Sequence, residues 1–355
     1  MTTRPESSPI SPRRPSWPRR AGVAALWSSV LLLQLSLAAS IYAQRPFADI
    51  AFADHAPSGD SLAYHALQEG RVENAATLLR VMLAANPSDA TAHELLCRVA
   101  YTQDQVDAAV SQCELAVSND PSNSGHHLWL GRAYGMKARR AGPIAGFRLA
   151  RRVQANFARA VEIDPNNIAA LNDLGEYDVA APFIVGGGSD KARALAARMM
   201  PRFPAAAHRL LARLAESEDD LTAAESEFRK AVEVQGSPGA WIDLARFYQA
   251  NSRPDEALAA VKSAIAADWA RDDALVDAAG ILTAAHRDPD LAERCLRDYL
   301  ASSATSDAAP VFKVHLQLSR LLAARGDNAD AHQEIETAAT LAPSYTRTAR
   351  SARGS

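Results

Sequence analysis

Five arginines recur at equivalent positions of the sequence and could together bind carboxylate groups. The first two, Arg98 and Arg132, are 34 residues apart. A guanidinium presents a planar fork of N–H donors, which binds a carboxylate through two parallel hydrogen bonds. The spacing therefore predicts a row of side chains suited to an acidic ligand. The row consists of Arg98, Arg132, Arg213, Arg246 and Arg320.

A second interpretation of this arginine row stays open. Each arginine could instead pair with an acidic residue of an adjacent segment, such as Glu94, Glu216 or Asp243. Such pairs would engage the guanidinium groups within the chain itself and contribute little stability if exposed. Glu176 occupies the equivalent position between the second and third arginines and interrupts the row.

The other reactive side chains do not form a recognisable catalytic or metal site. Four of the nine histidines occupy the same position of a repeating sequence pattern, and Trp241 occupies that position in its own repeat. Residues one repeat apart cannot converge on one metal, so the slot indicates packing. No Ser, Cys or Thr lies in a recognisable nucleophile turn. We therefore expect no enzyme activity, no metal and no cofactor. The four histidines are His93, His127, His208 and His315.

Two cysteines lie in segments that should pack against each other. Cys97 fills the small slot of one predicted helix, and Cys113 fills the large slot of the next. Outside the cytoplasm the two could form a disulfide. Two small buried apolar residues are the alternative, because the geometry of a disulfide is narrow.

Prolines divide the chain into predicted helices. Pro87, Pro121, Pro165 and Pro204 each follow a segment with apolar residues at helical spacing, and the first two are 34 residues apart. Runs of alternating polar and apolar residues, which would indicate strands, are missing. With 48% hydrophobic residues, the 355-residue chain has enough apolar material for a packed core.

Small and large residues recur in the slots where paired helices would cross. The most complete set is Trp241, Leu244, Ala245, Tyr248 and Ala257. Together with the 34-residue interval, this pattern resembles the tetratricopeptide repeat superfamily over about residues 57–345. The resemblance implies an all-α fold, a right-handed α-solenoid of about eight tetratricopeptide helix-turn-helix repeats. It also implies that the arginine row lines the concave groove, where extended peptides or helices lie.

The first of two insertions exceeds the period by ten residues and lies within residues 135–152. It is rich in arginine, and no acidic residue occurs between Asp120 and Glu162. Its apolar residues follow helical spacing, which predicts an elongated second helix with one apolar and one cationic side. Such a helix could contact an anionic partner or lipid surface. An ordinary solvated helix is the alternative. The candidate contact residues are Arg139, Arg140, Phe147 and Arg148.

The second insertion, within residues 181–190, contains three consecutive glycines. It lacks the Lys-Ser/Thr pair and the preceding strand of a phosphate-binding loop, so a nucleotide site is not expected. Its apolar residues Phe183, Ile184 and Val185 either pack against the neighbouring repeat or stay exposed as a contact patch. Both insertions should emerge on the same edge of the superhelix, and adjacent insertions on one edge usually mark a binding face.

The first 43 residues have the pattern of an export signal. Two arginine pairs precede an apolar run that ends in Ile41-Tyr42-Ala43, which is typical of a cleaved signal peptide or an uncleaved signal anchor. The protein would then be periplasmic or secreted, or anchored in the inner membrane and facing the periplasm. Residues 44–56 are expected to be a linker and residues 346–355 a basic flexible tail.

The predicted function is that of an exported scaffold or adaptor for protein–protein interaction. Its partner would place an acidic or C-terminal peptide segment in the arginine-lined groove. A transport accessory that binds a small ligand inside the superhelix is the alternative. Beyond residue 43 the chain carries 33 basic and 40 acidic side chains, which argues against nucleic-acid binding. A peripheral contact with a membrane stays open.

Overall fold

A computed structural model describes residues 62–351 of the chain, with side chains as far as residue 347. The predicted export signal of residues 1–43 and the linker of residues 44–56 lie outside the described residues. Within residues 62–351 the structure contains seventeen α-helices and no strand. None of these helices combines the length and the apolar character that a bilayer span requires.

The helices follow one another with short connections. Their bounds are α1 Leu62–Gln68, α2 Val72–Ala85, α3 Ala90–Thr102, α4 Val106–Asn119, α5 Ser124–Arg140, α6 Pro143–Ile163, α7 Ile168–Ala180, α8 Ser189–Met199, α9 Pro204–Ser217, α10 Leu221–Gln235, α11 Pro238–Ala250, α12 Pro254–Ala267, α13 Ala274–Ala284, α14 Pro289–Leu300, α15 Val311–Arg325, α16 Asn328–Leu341 and α17 Pro343–Ser351.

A short motif ends one helix and begins the next. The residue before proline avoids the helical conformation, so α2 ends two residues before Pro87. Two residues later, the Asp89 side chain accepts a hydrogen bond from the Ala92 amide at 2.9 Å and caps α3. Asn123 and Asn167 cap α5 and α7 in the same way. The sequence therefore fixes these helix boundaries locally.

Sixteen of the helices pair into eight antiparallel hairpins, from α1 with α2 to α15 with α16, which confirms the predicted α-solenoid. The small slots allow the paired helices to approach closely. A Cβ atom added at Gly131 of α5 would lie 2.4 Å from the Phe157 ring of α6. One at Gly175 of α7 would lie 2.8 Å from the Leu210 side chain of α9, in the next hairpin.

The recurring histidines link the two helices of a hairpin. His93 Nδ1 lies 2.8 Å from the Gln112 side-chain oxygen, and its Nε2 lies 3.1 Å from the Pro87 carbonyl. His208 and His315 also contact a side chain 19 positions later. For His127 the partner is 29 positions later, because the first insertion adds ten residues between the two helices. The slot therefore serves packing.

The core consists of two apolar clusters along the array and a third where its ends meet. In the third cluster, Leu67 and Leu79 of the first hairpin pack with Phe312 of α15. Phe312 also stacks edge-on against Tyr345 of α17, with ring centroids 5.0 Å apart. The Glu73 carboxylate accepts a hydrogen bond from the Ser344 amide at 3.0 Å. The described array therefore closes on itself.

The C-terminal end of the described chain contains a further helix, which overlaps the predicted tail of residues 346–355. Residues 343–351 form α17, which begins with Pro343 at its first position. Pro343 has the fixed backbone angle of a first helical residue and lacks the N–H that would be unsatisfied there. Helix α17 packs on α16 and contributes to the third apolar cluster through Tyr345.

Candidate functional site

Arg98, the first arginine of the row, is buried and holds a carboxylate from the far end of the chain. Its Nε donates to Asp307 Oδ2 at 2.8 Å and its Nη2 to Oδ1 at 3.0 Å. Asp307 is buried as well. Glu94 of the same helix lies 3.5 Å from Nη1. The predicted two-point recognition of a carboxylate is therefore present, and the carboxylate belongs to this chain.

Arg132 is similarly engaged, one repeat later. Its Nε donates to Asp173 Oδ2 at 2.7 Å, and both residues are buried. Burial raises the pKa of Asp173, against the opposing effect of the Arg132 charge. The guanidinium groups of Arg98 and Arg132 both lie over the Trp129 ring, at 4.9 Å and 4.7 Å from its centroid. The interior is therefore filled here by aromatic and charged side chains.

Arg213 lies among three acidic side chains. Its guanidinium is 3.1 Å from Glu216, 3.5 Å from Asp243 and 3.6 Å from Glu176. Burial lowers the pKa of Arg213, but the carboxylates outweigh that effect and raise it above its ordinary value. Glu176, which interrupts the row in sequence, also binds Arg209 at 3.0 Å. The interruption is thus a partner that the neighbouring arginines share.

The last two members of the row are more accessible. Arg246 forms a 2.8 Å ion pair with Asp277 of the following hairpin, and Arg320 is exposed. Four of the five arginines therefore contact carboxylates of the chain itself. This arrangement matches the second interpretation of the row, and Glu94, Glu216 and Asp243 are among the acids that take part.

Asp307 is the residue of this interior that the sequence analysis missed. It lies in the ten-residue connection between α14 and α15, residues 301–310. The spacing of the repeats does indicate an extra segment here: the second helices of the last two repeats end near Leu300 and Pro343, which are 43 residues apart, although the period is 34. The excess indicates an insertion between two repeats, but its contact with Arg98 could not be read from spacing.

The first insertion lengthens both helices of the third hairpin. Helices α5 and α6 have 17 and 21 residues, and most residues in the first turns of α6 are exposed. Ile144 is 75% exposed and Phe147 is 36% exposed. Arg148 and Arg151 are exposed beside them. The predicted elongated helix therefore has an accessible apolar and cationic end.

The earlier arginines of the first insertion lie closer to the body of the array. Arg139 is half-buried and interacts with Tyr101. Arg140 is exposed, and its Nη1 donates to the Asp104 carbonyl at 3.1 Å. These two side chains fix the end of α5 against the second hairpin.

The second insertion divides its apolar residues between the core and the surface. Residues 183–185 form one 3-10 turn, in which Val185 is buried and Phe183 is 82% exposed. Ile184 is 36% exposed. A Cβ atom at Gly187 would lie 2.1 Å from the Ala181 carbonyl oxygen, so only glycine fits that turn. Both interpretations of the loop are therefore partly realised.

The two insertions touch, as expected for insertions on one edge. The Tyr177 hydroxyl lies 2.8 Å from the carbonyl oxygens of both Ala150 in α6 and Val185 in the loop, and its single proton can be donated to either. A Cβ atom at Gly186 would lie 3.1 Å from the Gln154 side chain of α6. We call the exposed part of these insertions the edge surface. It comprises Ile144, Phe147, Arg148, Arg151, Phe183 and Ile184.

Cys97 and Cys113 are joined in a disulfide between α3 and α4. Cys295 is a buried free thiol in α14, and burial raises the pKa of this thiol to about 11. Across the part of the chain that the structure describes, His, Cys, Asp and Glu side chains form no group of three suited to a metal ion.

The sequence and the architecture are similar to those of known tetratricopeptide repeat proteins. Residues 61–124 match the family model described as tetratricopeptide repeat. A thermophilic tetratricopeptide repeat protein of Thermus thermophilus is 20% identical, with a TM-score of 0.41 over 62% of this chain and 99% of that chain. Yeast Tom70 is 17% identical, with a TM-score of 0.48 over 92% and 70% of the respective chains.

The type IV pilus biogenesis factor PilW is also similar in structure. It is 15% identical, with a TM-score of 0.42 over 57% of this chain and 92% of its own. No curated protein matches the chain.

The paired antiparallel helices, the 34-residue period and the helix-crossing slots define an α-solenoid. The family model for the tetratricopeptide repeat matches the stretch that contains the first two hairpins. The chain therefore has the fold of a tetratricopeptide α-solenoid, and residues 61–124 match the tetratricopeptide repeat family.

Proposed function

We propose that the protein is an extracytoplasmic interaction scaffold that binds an acidic protein partner through the edge surface. The observation that carries the proposal is the accessible combination of Phe183, Ile184, Ile144 and Phe147 beside exposed arginines. Solenoids of this class bind partners along extended surfaces. Exposed apolar residues that are clustered and flanked by charge mark an interaction site more often than single exposed residues do.

The charge of the edge surface favours an acidic partner. Arg148 and Arg151 are exposed within a stretch that has no acidic residue from position 121 to position 161. Arginine is enriched at protein interfaces, where its guanidinium can bind carboxylates in two-point fashion. The apolar side chains would supply the buried contact, and the arginines would supply orientation and a faster encounter.

The concave groove is the second candidate surface, and the exposed Arg320 is the feature that favours it. The other four arginines of the row already contact carboxylates of the chain. An acidic or C-terminal peptide would have to compete with those contacts or bind near Arg320. A small ligand inside the superhelix would meet the same filled interior near Trp129. The edge surface therefore carries the main proposal.

The location outside the cytoplasm is part of the proposal. It rests on the export pattern of residues 1–43 and is compatible with a disulfide in the second hairpin. Cleavage after Ala43 would leave Gln44 as the first residue, and N-terminal sequencing of the protein from envelope fractions tests this point.

Comparative capture from envelope extract tests the edge surface. We expect the triple variant Phe183→Ser, Arg148→Glu, Arg151→Glu to lose at least tenfold of the captured partner, because it removes an apolar anchor and reverses two charges. Capture by the wild type should fall as salt rises. The matched control carries Trp269→Ser and Arg294→Glu, both at exposed positions on distant hairpins, and should capture the partner normally.

Three results would contradict the proposal in different ways. Equal capture by the triple variant and the wild type would exclude the edge surface. Loss of capture only with Arg320→Glu would place the partner in the concave groove. Binding to vesicles of anionic phospholipid, with no protein captured, would assign the edge surface to a membrane.

A further inference from the structure

The connection between α14 and α15 places a buried carboxylate against the first two hairpins. At ten residues, 301–310, it is the longest connection between helices in the described part of the chain. It delivers Asp307 to Arg98, 209 residues earlier in sequence. The other connections between hairpins have six residues or fewer.

Buried tyrosine Tyr299 holds this connection in shape from the end of α14. Its hydroxyl donates to the Ala309 carbonyl at 2.8 Å and accepts from the Ser306 amide at 2.9 Å. The backbone is thus fixed on both sides of Asp307 by one side chain. The placement of the Asp307 carboxylate is therefore a property of the folded connection.

The site that binds the Asp307 carboxylate is formed by polar and aromatic side chains of the first three hairpins. Arg98 supplies two hydrogen bonds, and Gln68 Nε2 donates a longer one to Oδ1 at 3.4 Å. The rings of Tyr64 and Trp129 lie 5.5 Å and 4.9 Å from the Arg98 guanidinium carbon. Burial would raise the pKa of Asp307, but the charge and hydrogen bonds of Arg98 outweigh it and lower that pKa. The site therefore holds an ionised carboxylate.

Asp307 differs from the other acids that pair with the arginine row. Asp173, Glu176, Asp243 and Asp277 lie on helices of the array, so their positions follow from the stacking of the repeats. Asp307 lies on an irregular segment between two helices. Removing it from the site does not require two stacked hairpins to separate.

We propose that residues 301–310 are an internal ligand of the concave surface: Asp307 occupies a carboxylate site formed by Arg98 and Gln68, from which a carboxylate in trans can displace it. The connection then blocks this carboxylate site in the free protein. The class of ligand that displaces it is an extended acidic segment of a partner protein. This inference is independent of the edge surface.

Chemical rescue of Asp307→Ala tests the site. The variant should unfold at lower temperature than the wild type, because Arg98 is left buried without this carboxylate. Sodium acetate should restore part of the loss relative to sodium chloride at equal ionic strength, since a ligand of the native state raises its stability. Acetate should not shift the wild type. The double variant Asp307→Ala, Arg98→Gln should show no rescue.

A synthetic decapeptide with the sequence of residues 301–310 gives a second readout. By calorimetry it should bind Asp307→Ala at least tenfold more tightly than the wild type, and its Asp-to-Asn version should not bind. The matched control is Asp277→Ala, which removes a helical carboxylate that pairs with Arg246. Neither acetate nor the decapeptide should stabilise or bind this variant.

A folded Asp307→Ala variant that responds to neither acetate nor the decapeptide would overturn the proposal and leave Asp307 a fixed structural residue. Should Asp307→Ala fail to fold, Asp307→Asn keeps the side-chain volume and removes the charge. The decapeptide must then bind this variant more tightly than the wild type, and equal affinity would also overturn the proposal. Neither result bears on capture through the edge surface.

Discussion

At the scale of single residues, burial decides what each charged side chain can do. Arg98 and Arg132 have the residue type and spacing of a ligand-binding row, yet both are buried with acids of the chain. Arg148 and Arg151 have no regular spacing but are exposed. Removing one partner of a buried pair costs about 3–5 kcal/mol, because the remaining charge is left without compensation. The interior pairs are therefore structural elements first.

Asp178 is a buried acid in α7 beside the second insertion. Among the described residues none donates a hydrogen bond to its Oδ1. Burial raises the pKa of this carboxyl to about 6, and the nearby Lys191 opposes the shift only partly. Because the folded-state pKa lies above the unfolded value, the penalty in stability is complete above pH 6, shrinks as pH falls, and disappears below the unfolded value near 3.8.

We therefore expect Asp178→Asn to stabilise the protein at neutral pH. The gain in free energy of unfolding should be on the order of 2 kcal/mol at pH 7.5, since one pKa unit corresponds to about 1.4 kcal/mol. Near pH 3 the gain should vanish, because Asp178 is then largely protonated in both states. Urea unfolding of both proteins across this range provides the measurement. A gain of equal size at both ends would contradict the assigned pKa.

At the scale of elements, the first insertion lengthens α5 and α6 while the two helices remain paired. The partner of His127 lies 29 positions away, against 19 for His93, yet both contacts form. The ten extra residues are accommodated at the free ends of α5 and α6. An insertion that leaves the crossing point intact adds surface without disturbing the core, which explains why the edge surface is accessible.

The disulfide of the second hairpin gives a prediction for a single pair of elements. It closes a loop of 16 residues between α3 and α4. Chain-entropy arguments for a loop of this length give about 3 kcal/mol of stability. The double variant Cys97→Ala, Cys113→Ala should lose about that amount in urea unfolding.

Cys295 provides an internal control for the thiol chemistry. In the native protein, alkylation followed by mass mapping should leave Cys97 and Cys113 linked, and Cys295 should react only after unfolding because it is buried. Rapid alkylation of all three thiols in the native protein would contradict the disulfide.

At the scale of the whole molecule, contact between the two ends distinguishes this array from an open solenoid. In an open array each repeat contacts only its neighbours, so terminal repeats unfold most easily. Here Phe312 packs with Leu67 and Leu79, and Lys313 forms a 3.1 Å ion pair with Asp104. Gly70 has a φ of +74°, and a Cβ atom there would lie 2.9 Å from Val311. The first hairpin is thus held by the last.

Phe312→Ala should loosen the first hairpin as well as its own. We expect a loss of about 3–5 kcal/mol in global stability, as for other buried phenylalanines. Hydrogen exchange of the α1 and α2 amides should also become faster, although these helices are over 220 residues away in sequence.

Phe228→Ala is the matched control for this closure, because Phe228 is equally buried but lies in the second cluster. It should lower global stability by a similar amount and leave the local exchange of α1 and α2 unchanged. Unchanged exchange in Phe312→Ala itself would mean that the ends do not stabilise each other.

Much of the fold could be predicted from the sequence because its determinants are local. Pro87 followed by Asp89 ends one helix and caps the next within a few residues, and the pattern repeats. Gly131 opposite Phe157 reflects the close crossing of two paired helices. The edge surface was also predictable, since an insertion of known length must emerge between two helices of known position.

The sequence by itself determined the helices, their pairing, the two insertions and the separation of apolar from polar faces, because these depend on interactions over one or two repeats. Only the tertiary structure decided which arginines are available. The contact of Arg98 with Asp307 joins residues 209 positions apart. It depends on the curvature that accumulates over the intervening hairpins. Small rotations at each interface add up to the meeting of the two ends, and no local pattern encodes that sum.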